Sequence, residues 1–252
     1  MHKIIPLMVA TSKISFPLNR VMYRYPHEGS TYYKFGFAAI RTADEIILVD
    51  AGIFSDEEAS QIDESVLSQL TTMVDNRPFY DVLSDADIDP LAVKKVIVTH
   101  LHWDHCWNLE KLPNAEIFVQ RKELASAVAP YPYERIHFGY MGGGPCANPP
   151  FLRTINRMVA LDGEEEIVPG VRVIPTPGHT HGSQSVLVDT AEGTYALIGD
   201  LCNIELAFEE GYPPGLFCSC KDWYESYRRL KKENLAGVIT FHDPRHYVRT
   251  FG

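Results

Sequence analysis

The stretch Val96-Ile97-Val98-Thr99-His100-Leu101-His102-Trp103-Asp104-His105 runs from an apolar, β-branched segment directly into an H-x-H-x-D-H string. Side chains two apart on an extended backbone share a face, so His100 and His102 aim at one point if the strand continues through them. Asp104 and His105 fall on the turn that follows and can face a neighbouring point. Imidazole nitrogens and carboxylate oxygens are donors for zinc and similar divalent ions, and a zinc held by three protein ligands keeps a fourth position for water. Four such donors in one short string predict two metal ions rather than one.

Working outward, apolar β-rich runs recur at 4–9, 33–40, 45–49, 95–99, 116–120, 171–175, 185–189, 195–198 and 237–241, and these are the predicted strands. Helical patterns lie between them at 56–74, 121–128 and 221–233. The first is opened by Ser55, with Asp56, Glu57 and Glu58 in its first turn, where negative charge suits the helix dipole. The interleaving points to an α/β sandwich, and with no internal repeat or linker-like stretch residues 1–252 read as a single domain. The least regular segment, 129–151, mixes Pro and Gly with Tyr131, Tyr133, Phe138, Tyr140 and Phe151 and reads as a long loop.

Composition narrows the function. At 252 residues, 45% hydrophobic and 22% charged, the chain can bury a large core without disulfides. A formal charge of −10 repels phosphate backbones and anionic lipid, so neither nucleic acid nor a membrane surface is an expected partner. Five cysteines, an odd number without paired zinc spacing, read as free thiols in a reducing compartment. No signal-like segment or apolar stretch near the length of a membrane span is present, which makes the cytoplasm the expected location. A small molecule is the expected partner, and a homo-oligomer is left open.

The H-x-H-x-D-H string resembles that of the metallo-β-lactamase superfamily. The resemblance runs from Leu48-Val49-Asp50-Ala51-Gly52, through Thr176-Pro177-Gly178-His179-Thr180 and Ile198-Gly199-Asp200, to Phe241-His242-Asp243, which covers most of the chain. It implies a four-layer αβ/βα sandwich with metals in a cleft at one edge of two sheets. It also implies that His100, His102 and His179 hold one ion, that Asp104, His105 and His242 hold the other, and that Asp200 bridges them. Zinc is the first expectation for both ions. Asp50 would support the metal loops through hydrogen bonds, and His181, where relatives commonly have Pro, would do the same or line the pocket. Cys106 and Cys202 are expected to pack, and His2, His27, His137 and His246 to be ordinary histidines, with His137, on the irregular loop, the first exception to look for.

Within the superfamily, true β-lactamases generally place Cys or Ser where Asp200 stands, and nuclease members add an RNA-handling region that is not visible here. The stretches 112–121 and 176–186 look like the branch of N-acyl homoserine lactonases and pyridoxolactonase. The implied reaction is opening of a lactone or related ester by a metal-bridging hydroxide, with Asp104 shuttling the proton to the leaving alkoxide. Quorum-quenching lactonases typically carry Tyr three residues after the bridging Asp. This chain has Asn203 there, whose amide can donate to a developing oxyanion. Segment 129–151 is expected to cover the cleft, with Tyr131, Tyr133, Phe138 and Tyr140 lining the substrate pocket. The competing readings are a mononuclear iron enzyme of the persulfide-dioxygenase type, a glyoxalase-II-like thioesterase, and a metal-binding module without catalysis.

Overall fold

The computed structural model describes residues 1–60, 62, 73–140 and 148–252. Its strands are β1 (Lys3–Ser12), β2 (Phe16–Pro17), β3 (Ser30–Thr31), β4 (Lys34–Arg41), β5 (Ile46–Val49), β6 (Met73–Val74) and β7 (Lys95–Ile97). They continue as β8 (Glu116–Gln120), β9 (Met158–Leu161), β10 (Glu165–Val168), β11 (Val171–Pro175), β12 (Gln184–Thr190), β13 (Gly193–Leu197) and β14 (Leu235–Ile239). β2 and β3 pair as a small two-stranded sheet, and of the two large sheets one has the order β6-β1-β4-β5-β7-β8-β9 and the other β10-β11-β12-β13-β14. Both are mixed: β5, β7, β8 and β9 run parallel, as do β13 and β14.

Period-two alternation builds the layers. Ile47 and Val49 of β5 join Ile97, Val173, Val186, Val188 and Leu197 in the core between the sheets, while Leu48, Val96 and Val98 turn to the opposite face. That outer face is covered by Phe79, Leu109, Ala127 and Phe151 from helical segments, and the outer face of the second sheet by Ala207, Trp223 and Leu230. Strands covered on both sides read as near-continuous apolar runs, which is why they stand out in the sequence. The α/β class and the four-layer sandwich therefore follow from the packing.

The differences from expectation have local causes. The first helix is seen as Asp56–Ala59, closed by a capping box in which Ser55 Oγ accepts from the Glu58 N–H and Glu58 Oε2 accepts from the Ser55 N–H. Most of the remainder of the expected 56–74 helix lies outside the described residues. At its end, Met73 and Val74 are strand, paired with Ser12 and Thr11 on the free edge of β1. The helices Phe79–Asp85 and Glu205–Glu210 were missed, being too short for helical periodicity to show. Cys106, Cys202, Cys218 and Cys220 are free thiols, and Cys146 lies outside the described residues. Among the described residues, no helix is long and apolar enough to cross a membrane.

Candidate metal centre

The candidate donors sit on loops that leave β7, β11, β13 and β14, so two sheets contribute to one point. Strand β7 ends at Ile97, earlier than the expected 95–99, because side chains take over from the ladder. The Thr99 N–H donates to Asp50 Oδ1 at 2.6 Å and the Leu101 N–H to Glu123 Oε1 at 2.9 Å. His100 and His102 flank Leu101 on this loop, and Trp103–Cys106 forms one short helix carrying Asp104 and His105.

Three overlapping sets of donor atoms each lie within 4.8 Å of one another: His100, His102 and His179; His100, His105 and Asp200; Asp104, His105 and His242. Asp200 faces both ends of the cluster. Its Oδ1 is 3.3 Å from His105 Nε2 and 3.2 Å from His242 Nε2, and its Oδ2 is 3.5 Å from His179 Nε2. His102 Nδ1 and His179 Nε2 are 3.0 Å apart, and Asp104 Oδ2 is 3.7 Å from both His105 Nε2 and His242 Nε2. Donors about 2.0–2.1 Å from a shared tetrahedral ion lie roughly 3.3–3.4 Å apart. The observed spacings bracket that value.

Two further observations fit a divalent ion. His100 Nε2, His105 Nε2 and Asp200 Oδ1 are buried without a hydrogen-bond partner, which is costly unless a cation satisfies them. The other ring nitrogens are held outside the cluster: His105 Nδ1 by Asp50 Oδ2 at 2.7 Å, His179 Nδ1 by the Leu216 carbonyl at 2.8 Å and His242 Nδ1 by the Lys34 carbonyl at 2.8 Å. This pattern fixes the tautomers of these three rings with Nε2 facing inward, whereas His102 turns its Nδ1 toward His179.

The electrostatics are those of a dense, largely buried cluster. Burial, followed by neighbouring imidazoles, pushes His100 and His102 well below the ordinary histidine range. At His105 burial opposes the charge, but Asp104, Asp200 and Asp50 outweigh it and raise the group well above that range. Asp200 is likewise opposed by burial and held well below the carboxylate range by His242 and His105.

Asp50 is fully buried, sits at φ 63° and receives the Thr99 hydroxyl at 2.7 Å besides its contact with His105. It thereby braces the segment that carries His100, His102 and His105. His181 does not. Its ring is half-exposed, lies 3.5 Å from Glu134 Oε1 and lines a neighbouring cavity with Lys122 and Tyr131.

The centre opens into a cavity of about 560 Å³, lined on its polar side by His102, Asp104, His179, Asp200, Asn203 and His242. Phe16, Tyr33, Phe35, Ile136, His137 and Leu216 form other parts of the wall. The aromatic residues expected to line it do not. Tyr131 and Tyr133 are 60% and 70% exposed and stack on each other. Phe138 is buried behind His102, and the Tyr140 hydroxyl bonds to the Ala127 carbonyl. Among its described residues, segment 129–151 contributes Ile136 and His137 to the cleft. Gly142, Gly143 and Gly144 of this segment lie outside the described residues.

Sequence reasoning missed Glu123. Within Arg121-Lys122-Glu123 it reads as one more charge on a solvated helix turn, yet it is fully buried. Besides Leu101 N–H, its carboxylate accepts from Thr180 Oγ1 at 2.6 Å and the Gly182 N–H at 3.2 Å, tying the His100–His102 loop to the loop that follows His179. Gly182 is the one local signal, because a Cβ there would meet the Glu123 nitrogen at 2.0 Å. Glu123→Ala is expected to weaken metal retention by roughly 10–100-fold in competition with a chelator, as loss of an outer hydrogen-bond partner does. Glu123→Gln, which keeps an acceptor, should fall between that variant and the wild type.

A family model described as the metallo-beta-lactamase superfamily matches residues 38–242. An N-acyl homoserine lactonase from Bacillus sp is 28% identical over 201 residues, which cover 77% of this chain and 73% of that protein. The N-acyl homoserine lactonase AttM of Rhizobium radiobacter is 30% identical over 178 residues, 65% of this chain and 63% of that protein. A solved structure of an N-acyl homoserine lactone hydrolase, with the product N-hexanoyl-L-homoserine at its catalytic metal center, aligns with a TM-score of 0.73 and 22% identity, covering 97% of this chain and 93% of that one. Because the family match takes in both sheets and runs from β4 to the last histidine of the cluster, the chain belongs to the metallo-beta-lactamase superfamily.

Proposed function

We propose that this chain is a dinuclear metal-dependent hydrolase that opens a lactone or related ester. The observation that carries the reading is the Asp200 carboxylate, whose two oxygens face different histidines at the two ends of one donor cluster. His100, His102 and His179 would hold one ion, Asp104, His105 and His242 the other, and Asp200 both. Zinc suits this set of nitrogen and oxygen donors. When bound, two such ions polarise a scissile carbonyl and lower the pKa of a shared water. The kinship with N-acyl homoserine lactonases supports an ester within a ring as the substrate.

The residues of the chain supply the rest. Phe16, Phe35, Ile136 and Leu216 offer apolar walls for an acyl chain or ring, and the cavity of about 560 Å³ is of the size that takes a small molecule. Asp104, partly exposed on the cleft wall, is placed to carry a proton to the leaving alkoxide. Asn203 lines the same cavity, which supports a polar role for it toward the substrate carbonyl.

The test is elemental analysis of the fully reconstituted protein together with turnover of a lactone and ester panel. Two zinc-like ions per chain with ring opening are expected. One iron per chain with oxygen-dependent turnover of a persulfide would replace this reading with the dioxygenase one. Two ions with no turnover of any ester would favour a metal-binding module.

A further inference from the structure

Asn203 does not face the cleft alone. Its Nδ2 donates to the Tyr33 hydroxyl at 2.8 Å, and both residues line the cavity beside Asp104, Asp200 and His242. A phenol has one proton to give and two lone pairs to receive. Asn203 occupies one lone pair, and no described residue accepts the proton. The phenol is thus an unspent donor in the wall of the metal cleft.

Its position is fixed by the same contacts that fix a candidate ligand. The Tyr33 ring stacks on His242 with centroids 4.9 Å apart and planes 18° off parallel. The Tyr33 N–H donates to Ser12 Oγ at 2.8 Å, and its carbonyl accepts the Ser12 N–H at 2.7 Å. The next residue, Lys34, donates its N–H to the His242 carbonyl at 3.2 Å and accepts His242 Nδ1 at 2.8 Å. Donor and histidine therefore cannot shift independently, which is the preorganisation an oxyanion site requires.

We propose that Tyr33 is the catalytic hydrogen-bond donor of this centre, its hydroxyl proton aimed at the oxyanion formed from the substrate carbonyl, with Asn203 as the positioning residue that holds the phenol oxygen. The proposal rests on the hydrolase reading and changes it in one respect: the donor comes from the edge of the first sheet, and Asn203 acts through it. No bond is made or broken by Tyr33, and its proton stays on the phenol.

The test uses the metal-loaded full chain. Tyr33→Phe is expected to lower kcat for the best lactone or ester by roughly 10²-fold, the cost of one oxyanion donor. KM should move by less than about 3-fold, with metal content unchanged, because the interaction is made in the transition state. Asn203→Ala should lose roughly 10-fold alone and nothing further in the Tyr33→Phe background, the signature of two residues acting as a unit. Wild-type kcat in Tyr33→Phe, or an undiminished Asn203→Ala effect in that background, overturns the proposal. A second arm measures calorimetric affinity for butylphosphonate, a tetrahedral anion, in wild type and Tyr33→Phe. A roughly 10-fold weaker affinity in the variant, the value of a charge-assisted hydrogen bond, supports Tyr33 as donor even if no lactone is turned over, in which case only the lactone reading fails. Equal affinity for the phosphonate overturns the Tyr33 assignment whatever the substrate.

Discussion

Asp200→Asn is expected to abolish ester hydrolysis while the protein remains folded. The substitution keeps the volume of a buried side chain and one of its oxygens, but puts an NH2 group where the second oxygen now faces one end of the cluster. An amide nitrogen cannot serve as a metal donor there, so one of the two ions proposed for this cluster would lose its shared ligand. The loss of turnover should exceed the roughly 10–100-fold that follows when only an outer partner of a ligand is removed. Far-ultraviolet circular dichroism should be unchanged and metal content should fall toward one ion per chain. Wild-type turnover in this variant would remove Asp200 from the site.

The largest effect on stability is expected at Asp50. Asp50→Ala strips the partner from the Thr99 N–H, the Thr99 hydroxyl and the His105 ring together, all in fully buried surroundings. Breaking a buried charged pair typically costs about 3–5 kcal/mol. The left-handed backbone at φ 63° adds roughly 1–2 kcal/mol for Ala, a residue that rarely adopts it. The denaturation midpoint of the metal-free protein should fall accordingly with an unchanged m-value. Asp50→Asn tolerates the backbone and should lose less stability, yet still bind metal roughly 10–100-fold more weakly through the misdirected His105. A variant as stable as wild type would show that Thr99 and His105 find other partners.

Most of the framework was legible because its signals are local. Ile47, Val49 and Val96–Val98 announce strands covered on both faces, and the donors His100, His102, Asp104 and His105 announce themselves by spacing alone. What the sequence hid depends on approach in three dimensions. Glu123 is buried only because the loop after His179 folds onto its helix, and no neighbour in the sequence hints at that. Tyr33 meets Asn203 across 170 positions of chain, so the absence of Tyr at 203 was visible while the phenol beside it was not. The aromatic run of 131–140 misled for a related reason: composition shows that rings are available but not which way they turn, and Phe138 turned into the core while Tyr131 and Tyr133 turned to water.

The donor cluster is assembled across the seam between two sheets, with His100 leaving the first and Asp200 and His242 leaving the second. No pair of adjacent strands contains it. Each closure that brings such distant positions together costs chain entropy before any bond rewards it, so the centre is expected to form after its flanking strands have paired. Metal affinity then belongs to the docked sandwich rather than to the H-x-H-x-D-H string, and binding energy is returned as cohesion between the sheets. An ion held there acts as a clasp, so chelation would loosen the two layers from each other before it unravels either.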